Sequence, residues 1–174
     1  MIPLDATPKS PTANSYATVA EATDVITNGR LYSNAWRSAT DDDKARSLIW
    51  ATRLIDVSFD FTGAVTDLAQ ALKWPRVGIV DDEGRYFDQD TIPLIIKQAT
   101  AEFAVSLLAR DPTLVPKLLG QGFKSATLGP IKVDVDMTQV LPLIPPSVLI
   151  YFAPFGIMKA GSDASFNVAK LVRA

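Results

Sequence analysis

"QALKWPR", residues 70–76, sets an amide, a lysine, a tryptophan, a proline and an arginine within seven positions of an otherwise mildly acidic chain. Such a cluster is a nucleic-acid grip, a catalytic loop or a rivet of the fold, and its flanks discriminate. Pro75 bars Trp74 from the α region, so a short helix over about Val65 to Leu72 is expected to end here. Downstream, "VGIVDDEGRYF" (77–87) alternates, turns at Asp81, Asp82, Glu83 and Gly84, and resumes, which is the pattern of a β-hairpin. Between a helix end and a hairpin, Trp74 is predicted to bury its ring as an anchor. Arg76 is predicted to pair with a nearby carboxylate or a neighbouring subunit rather than with phosphate.

Upstream, residues 1–13 carry Pro3, Pro8 and Pro11 and read as an extended arm. A first helix is expected to start after Ser15 or Thr18 and to stop at Asn28-Gly29, with Val19, Ala22 and Ile26 on one face. In "TDDDKARSLIWATRLID" Thr40 is an N-cap and Asp41, Asp42 and Asp43 fill a first turn, where the helix dipole favours negative charge. Ala45, Leu48, Ile49, Thr52 and Ile55 then recur at helical spacing over about 41–57. The three aspartates are not a metal site, because consecutive helical residues point about 100° apart and do not converge on one ion. The acidic turn near Gly84 likewise lacks the spaced ligands and closing glutamate of a calcium loop.

Downstream, Asp90 or Thr91 caps a helix with Pro93 in its first turn. This helix is apolar on nearly two faces, through Ile92, Ile95, Ile96, Ala99, Phe103 and Leu107 on one and Leu94, Ala101, Val105 and Leu108 on the other. It is therefore expected to be the central helix. "TLVPKLL" reads as a further helical turn, and "GFKSATLGPIKVDVDMTQV" as two strands joined near Gly129-Pro130. "PPSVLIYFAPF" is a short apolar helix started by Pro145 and Pro146 and halted by Pro154. Val148, Leu149, Tyr151 and Phe152 with those prolines are either core or an interface, and the pattern leaves both open. The fold class expected is mainly α: a small helical bundle with a β-hairpin insertion near 77–87, an extended N-terminal arm and a C-terminal β/short-helix extension. The division expected is an arm over 1–13, a body over 14–118 and an extension over 119–174.

The chain has 174 residues, 48% of them hydrophobic and 21% charged, which is the composition of a folded domain. Its 17 Lys and Arg against 19 Asp and Glu give a formal charge of −2. A dedicated nucleic-acid binder usually carries excess base, because phosphate neutralisation supplies most of its affinity. From residue 112 onward the balance reverses, with six basic residues against three acidic. Histidine and cysteine are absent, which removes Cys and His nucleophiles, the Ser-His-Asp triad, thiolate and imidazole metal sites and disulfides. No secretory signal is expected from "MIPLDATPKSPTANSY", and the apolar run Val140–Met158 carries four prolines, too many for a membrane span.

Taken in order, "ANSYATVAEA", "DKARSLIWATRLID", "QALKWPRVGIVDDEGRYFDQDTIPLIIKQATAEFAVSLL", "KSATLGPIKVDVD" and "IPPSVLIYFAPF" resemble the head-tail connector or head-completion adaptors of tailed phages. Many of these carry the label DnaT-like ssDNA-binding protein. The resemblance covers about 14–156, and its most specific element is the block 70–93, with Gln70, Leu72, Trp74, Pro75, Arg76, Gly84 and Pro93 as motif and anchor residues. It implies a virion neck protein made in the host cytoplasm. Such a protein closes into a dodecameric ring between the portal and a tail, stopper or nozzle protein, and the genome passes through without tight binding. No cofactor, metal or membrane is implied. The chain departs from the commoner pattern at Phe59, Phe61 and Gly63, where relatives carry a tryptophan and a glycine nearer the helix end.

Three functions follow for weighing. A structural adaptor fits the missing catalytic constellation and the near-neutral charge, since a DNA conduit must not hold phosphate tightly. The alternative is a single-stranded DNA-binding protein, which needs a basic groove and exposed aromatics; Lys73, Trp74, Arg76, Arg85 and Tyr86 are its candidates. An enzyme would rest on Glu102 or on Asp134 and Asp136, with no nucleophile or phosphate loop beside them, and is not expected.

Overall fold

The structure, a computed structural model, describes residues 3–81, 83–110, 125–128, 131–134 and 142–159, of which 125–128 and 131–134 are described in backbone only. Helix α1 (Val19–Gly29) starts at a capping box, in which the Thr18 hydroxyl accepts from the Glu21 N–H and the Glu21 carboxylate accepts from the Thr18 N–H. A short α2 (Asn34–Ser38) follows, and then α3 (Asp41–Ser58), capped by Thr40 with the three aspartates in its first turn. Helix α4 (Leu94–Ala109) packs against α1, α2, α3 and the short α5 (Pro146–Phe152), as its two apolar faces require. Its N-cap is Pro93, not Asp90 or Thr91: the Thr91 hydroxyl is engaged with the Asp88 carboxylate at 3.1 Å. None of the described helices is long and apolar enough to cross a membrane.

The expectation of a mainly α bundle is overturned; the fold is a small mixed α/β arrangement. Among the described residues, five helices are joined by three two-stranded antiparallel pairings. Strand β1 (Phe59–Phe61), continuous with α3, pairs with β6 (Gly156–Met158), in the register Phe59–Met158, Asp60–Ile157 and Phe61–Gly156. Strand β2 (Ala64–Val65) pairs with β3 (Arg76–Val77), and β4 (Ser125–Leu128) with β5 (Ile131–Asp134). The last pair matches the two strands that the sequence predicts, and their junction at Gly129-Pro130 lies outside the described residues.

Two segments differ for local reasons. The helix expected over Val65 to Leu72 is absent, because side chains satisfy the backbone another way. Asp67 accepts from the Ala69 N–H at 2.8 Å, and the Gln70 carbonyl oxygen accepts from the Asp67 N–H at 3.0 Å. The hairpin expected over 77–87 is present in shortened form: Val80 bridges Tyr86, the Asp81 N–H donates to the Arg85 carbonyl and the Phe87 N–H to the Ile79 carbonyl, around a turn at Gly84, whose φ of 79° suits glycine. Its first arm is taken: Arg76 and Val77 pair back onto β2. The "TLVPKLL" turn lies outside the described residues.

The N-terminal segment, expected as an extended arm, folds back on itself around Asp5. The Asp5 carboxylate accepts from the Thr7 N–H and from the hydroxyls of Ser10 and Thr12, at 2.8–3.0 Å, while its backbone carbonyl accepts from Asn14 and Ser15. The Ser10 carbonyl in turn accepts from the Ala71 N–H, and Lys9 pairs with Asp90, so the loop is seated on the 70–76 motif and the turn before α4.

That motif is the hub. Trp74 is 1% exposed and meets Phe61 and Phe155 edge to face, at centroid distances of 5.6 and 5.5 Å. Phe59, Phe87 and Phe152 extend the same aromatic cluster. Arg76 does not pair with a carboxylate as expected. It is buried, and its guanidinium donates to four carbonyls: Thr62 at 2.6 Å, Gly63 at 2.8 Å, Lys73 at 3.0 Å and Phe61 at 3.2 Å. Gly63, at φ 67°, is required because a Cβ there would collide with the Val77 carbonyl. The peptide bond between Trp74 and Pro75 is cis.

Two measurements test this arrangement. Arg76→Lys keeps the charge but loses the planar fork, so some of the four carbonyls lose their donor; urea unfolding is expected to show a loss of about 2 kcal/mol or more, and a variant as stable as the parent would refute the fork's role. The hydrogen bonds from Thr7, Thr12 and Ser10 hold the Asp5 carboxyl at about 2, below its ordinary 3.8. A depressed carboxylate stabilises above its unfolded pKa and loses that contribution as pH falls. Amide exchange at Asn14 and Ser15 should therefore accelerate between about pH 4 and pH 2 before the core opens, and Asp5→Asn should abolish the effect.

Candidate functional site

The candidate single-strand patch of Lys73, Trp74, Arg76, Arg85 and Tyr86 is not an open surface. The Lys73 ammonium donates to the Phe59 carbonyl at 2.5 Å and lies over the Phe61 ring; burial, aided by the charge of Lys159, lowers its pKa. Arg76 and Trp74 are interior, although the Trp74 indole N–H finds no partner among the described residues. Arg85 is held in the turn by Asp81 at 2.7 Å and Glu83 at 3.1 Å. Arg85 and Tyr86 are the exposed members of the five, and the charge of Arg85 is matched within its own turn.

The buried polar groups around the motif are cross-ties. The Tyr16 hydroxyl donates to Asp56, whose other oxygen accepts the Lys73 N–H at 3.3 Å, and the Tyr16 N–H donates to the Thr52 hydroxyl at 3.1 Å. Burial pushes the Asp56 carboxyl up, and burial with the Asp56 charge pushes the Tyr16 hydroxyl well above its ordinary range. The segment before α1, the C-terminal half of α3 and the motif are thereby bound at one point.

The remaining residues singled out by sequence are dispersed. Gln70 donates to the carbonyls of Leu72 and Pro75, at 2.7 and 3.1 Å, and closes the turn; Leu72 packs against the core and Pro75 is buried. Gly84 makes the acidic turn and Pro93 caps α4. Val148 and Phe152 of α5 are buried, Leu149 and Tyr151 are half-buried against them, Pro145 is its N-cap and Pro146 opens its first turn. Glu102 is tied to Arg30 at 2.5 Å. Asp134 lies on β5, and Asp136 is outside the described residues. No cluster of acidic side chains among the described residues is arranged to hold a metal ion.

What the sequence reading missed is a cleft of about 370 Å³ between the C-terminal half of α4 and residues 142–145. Arg30, at the end of α1, and Arg110, just after α4, line it with Ser106; Leu107, Leu143 and Pro142 supply apolar wall. Two residues beyond Arg30, Tyr32 is 82% exposed in the link to α2, beside an equally bare Leu31. Arg37 on α2, Arg53 on α3 and Arg110 make no ion pair with a described residue. One signal was present in the sequence: "GRLYSNAWR" (29–37) interleaves two arginines with aromatics, but it lacks the compactness of 70–76.

A family model described as "Putative DnaT-like ssDNA binding protein" matches residues 3–167. No curated protein and no solved structure matches the chain. The match spans the aromatic hub, all five described helices and the cleft alike, so it concerns the whole fold and not one motif. The chain belongs to the family that this model describes.

Proposed function

We propose that the chain is a non-catalytic single-stranded DNA-binding protein. The observation that carries the reading is the family match over residues 3–167, which reverses the order that net charge alone suggests. The geometry supports it in a restricted form. The bases of the 70–76 motif are spent on internal carbonyls, so binding rests on the arginines left on the surface and is modest in strength. Absence of histidine and cysteine supports the non-catalytic part.

A second reading is the ring-forming neck adaptor, with a portal and a tail, stopper or nozzle protein as neighbours in the virion. The observation favouring it is the amount of bare apolar surface: Leu31, Leu68, Leu94, Ile150 and Ile157 are all largely exposed, which suits protein contacts better than phosphate.

Polarisation of a labelled oligothymidylate at low salt separates the two. Binding is expected, with a log–log salt slope between about −1.4 and −2.1, the value for two or three phosphate contacts at roughly 0.7 each on a single strand. Lys73→Ala, which removes an internal base, should leave the affinity within about twofold. An oligonucleotide left free at low salt would sink the single-strand reading, and a ring seen by light scattering in that same sample would turn the assignment to the adaptor.

A further inference from the structure

Single-strand binders combine cations that track the backbone with flat or apolar surfaces on which bases rest. A duplex turns its bases inward and offers a small cleft only phosphate, whereas a single strand offers both groups at once. The cleft beside α4 has this dual character: Arg30 and Arg110 line it together with Leu107, Leu143 and Pro142. Its volume of about 370 Å³ falls within the usual range of small-ligand sites, ~300–1,000 Å³. Tyr32, 82% exposed and two residues from Arg30, adds an aromatic face next to it along the chain. Helix α2, whose Arg37 has no ion pair among the described residues, packs on the same α4.

We infer that the cleft between the C-terminal half of α4 and residues 142–145 is where a single DNA strand is held, with phosphates on Arg30 and Arg110 and a base against Leu143, Pro142 or Tyr32. The inference rests on the single-stranded DNA reading above and assigns its site. It also gives Glu102 a role. This carboxylate holds Arg30 at 2.5 Å, with a quarter of its side chain exposed, so it competes with phosphate for the guanidinium. An entering phosphodiester must displace it, and the site is set to bind weakly and let go.

The test uses the full chain and a fluorescein-labelled oligothymidylate of about 20 nucleotides, longer than the 4–16 spanned by a typical single-strand module. Arg110→Glu is expected to weaken binding at least tenfold and Tyr32→Ala by about fivefold or more. Glu102→Gln, which frees Arg30, is expected to tighten it about two- to fivefold, a gain that no merely structural role produces. Arg85→Ala, at the acidic turn and not among the residues lining the cleft, should not change it. Arg110 and Tyr32 are exposed, and unchanged circular-dichroism melts establish that their variants fold. Wild-type binding with all three variants unaltered would overturn the site while leaving the family reading standing. No wild-type binding at low salt would overturn both.

Discussion

The guanidinium of Arg76 is the point on which the rest of the structure depends. An arginine is rarely buried without a carboxylate, because leaving water costs a charged group several kcal/mol. Here the compensation comes from four backbone carbonyls, three of them consecutive, at Phe61, Thr62 and Gly63. Those carbonyls point inward together because the chain bends sharply between β1 and β2, and Gly63 permits that bend. The arrangement is reciprocal: without the bend the arginine has no acceptors, and without the arginine the carbonyls have no donor. Once the bend is fixed, β1 is directed toward β6 and β2 toward β3, and Trp74, two residues before Arg76, is carried between Phe61 and Phe155.

This hub explains why the fold is mixed and not a bundle. Helix periodicity is a strong signal in α3 and α4, and both helices are where that signal puts them. Strands of two or three residues have no periodicity to detect, and "FDF" and "GIM" each look like loop in isolation. Their pairing is nonlocal, 97 positions apart at Asp60 and Ile157, and is enforced by aromatic packing and by Gly156, whose missing Cβ leaves room for the Asp60 carbonyl. The segment Phe59 to Gly63 thus supplies ring contacts and most of the arginine's acceptors.

The functional surface was less legible than the fold, for a related reason. Lysine, tryptophan and arginine close together in sequence suggest a ligand grip only while their exposure is unknown. Burial reverses the meaning of each: the Trp74 ring becomes core, and Lys73 and Arg76 become donors to carbonyls. The cleft is assembled from the end of α1, the end of α4 and the start of α5, which sequence separates by more than 100 positions between Arg30 and Leu143. No spacing rule connects them.

The charge balance of −2 misleads for the same reason that the motif does: totals do not distinguish spent charges from available ones. Lys9, Lys44, Arg46, Arg85, Lys97 and Lys159 are each matched to a carboxylate, and Lys73 and Arg76 to carbonyls. The same pairs neutralise Asp41, Asp43, Asp60, Asp81, Asp90 and Glu21. What a ligand meets is the remainder, which includes Arg37 and, at the cleft, Arg110 beside an Arg30 held by Glu102. A mildly acidic chain can in this way present a locally basic face. Its field is short-ranged, falling off within about 8 Å at physiological salt, so it acts on a charged group already in contact and draws little from solution. Such a surface favours transient, salt-sensitive occupancy over tight retention.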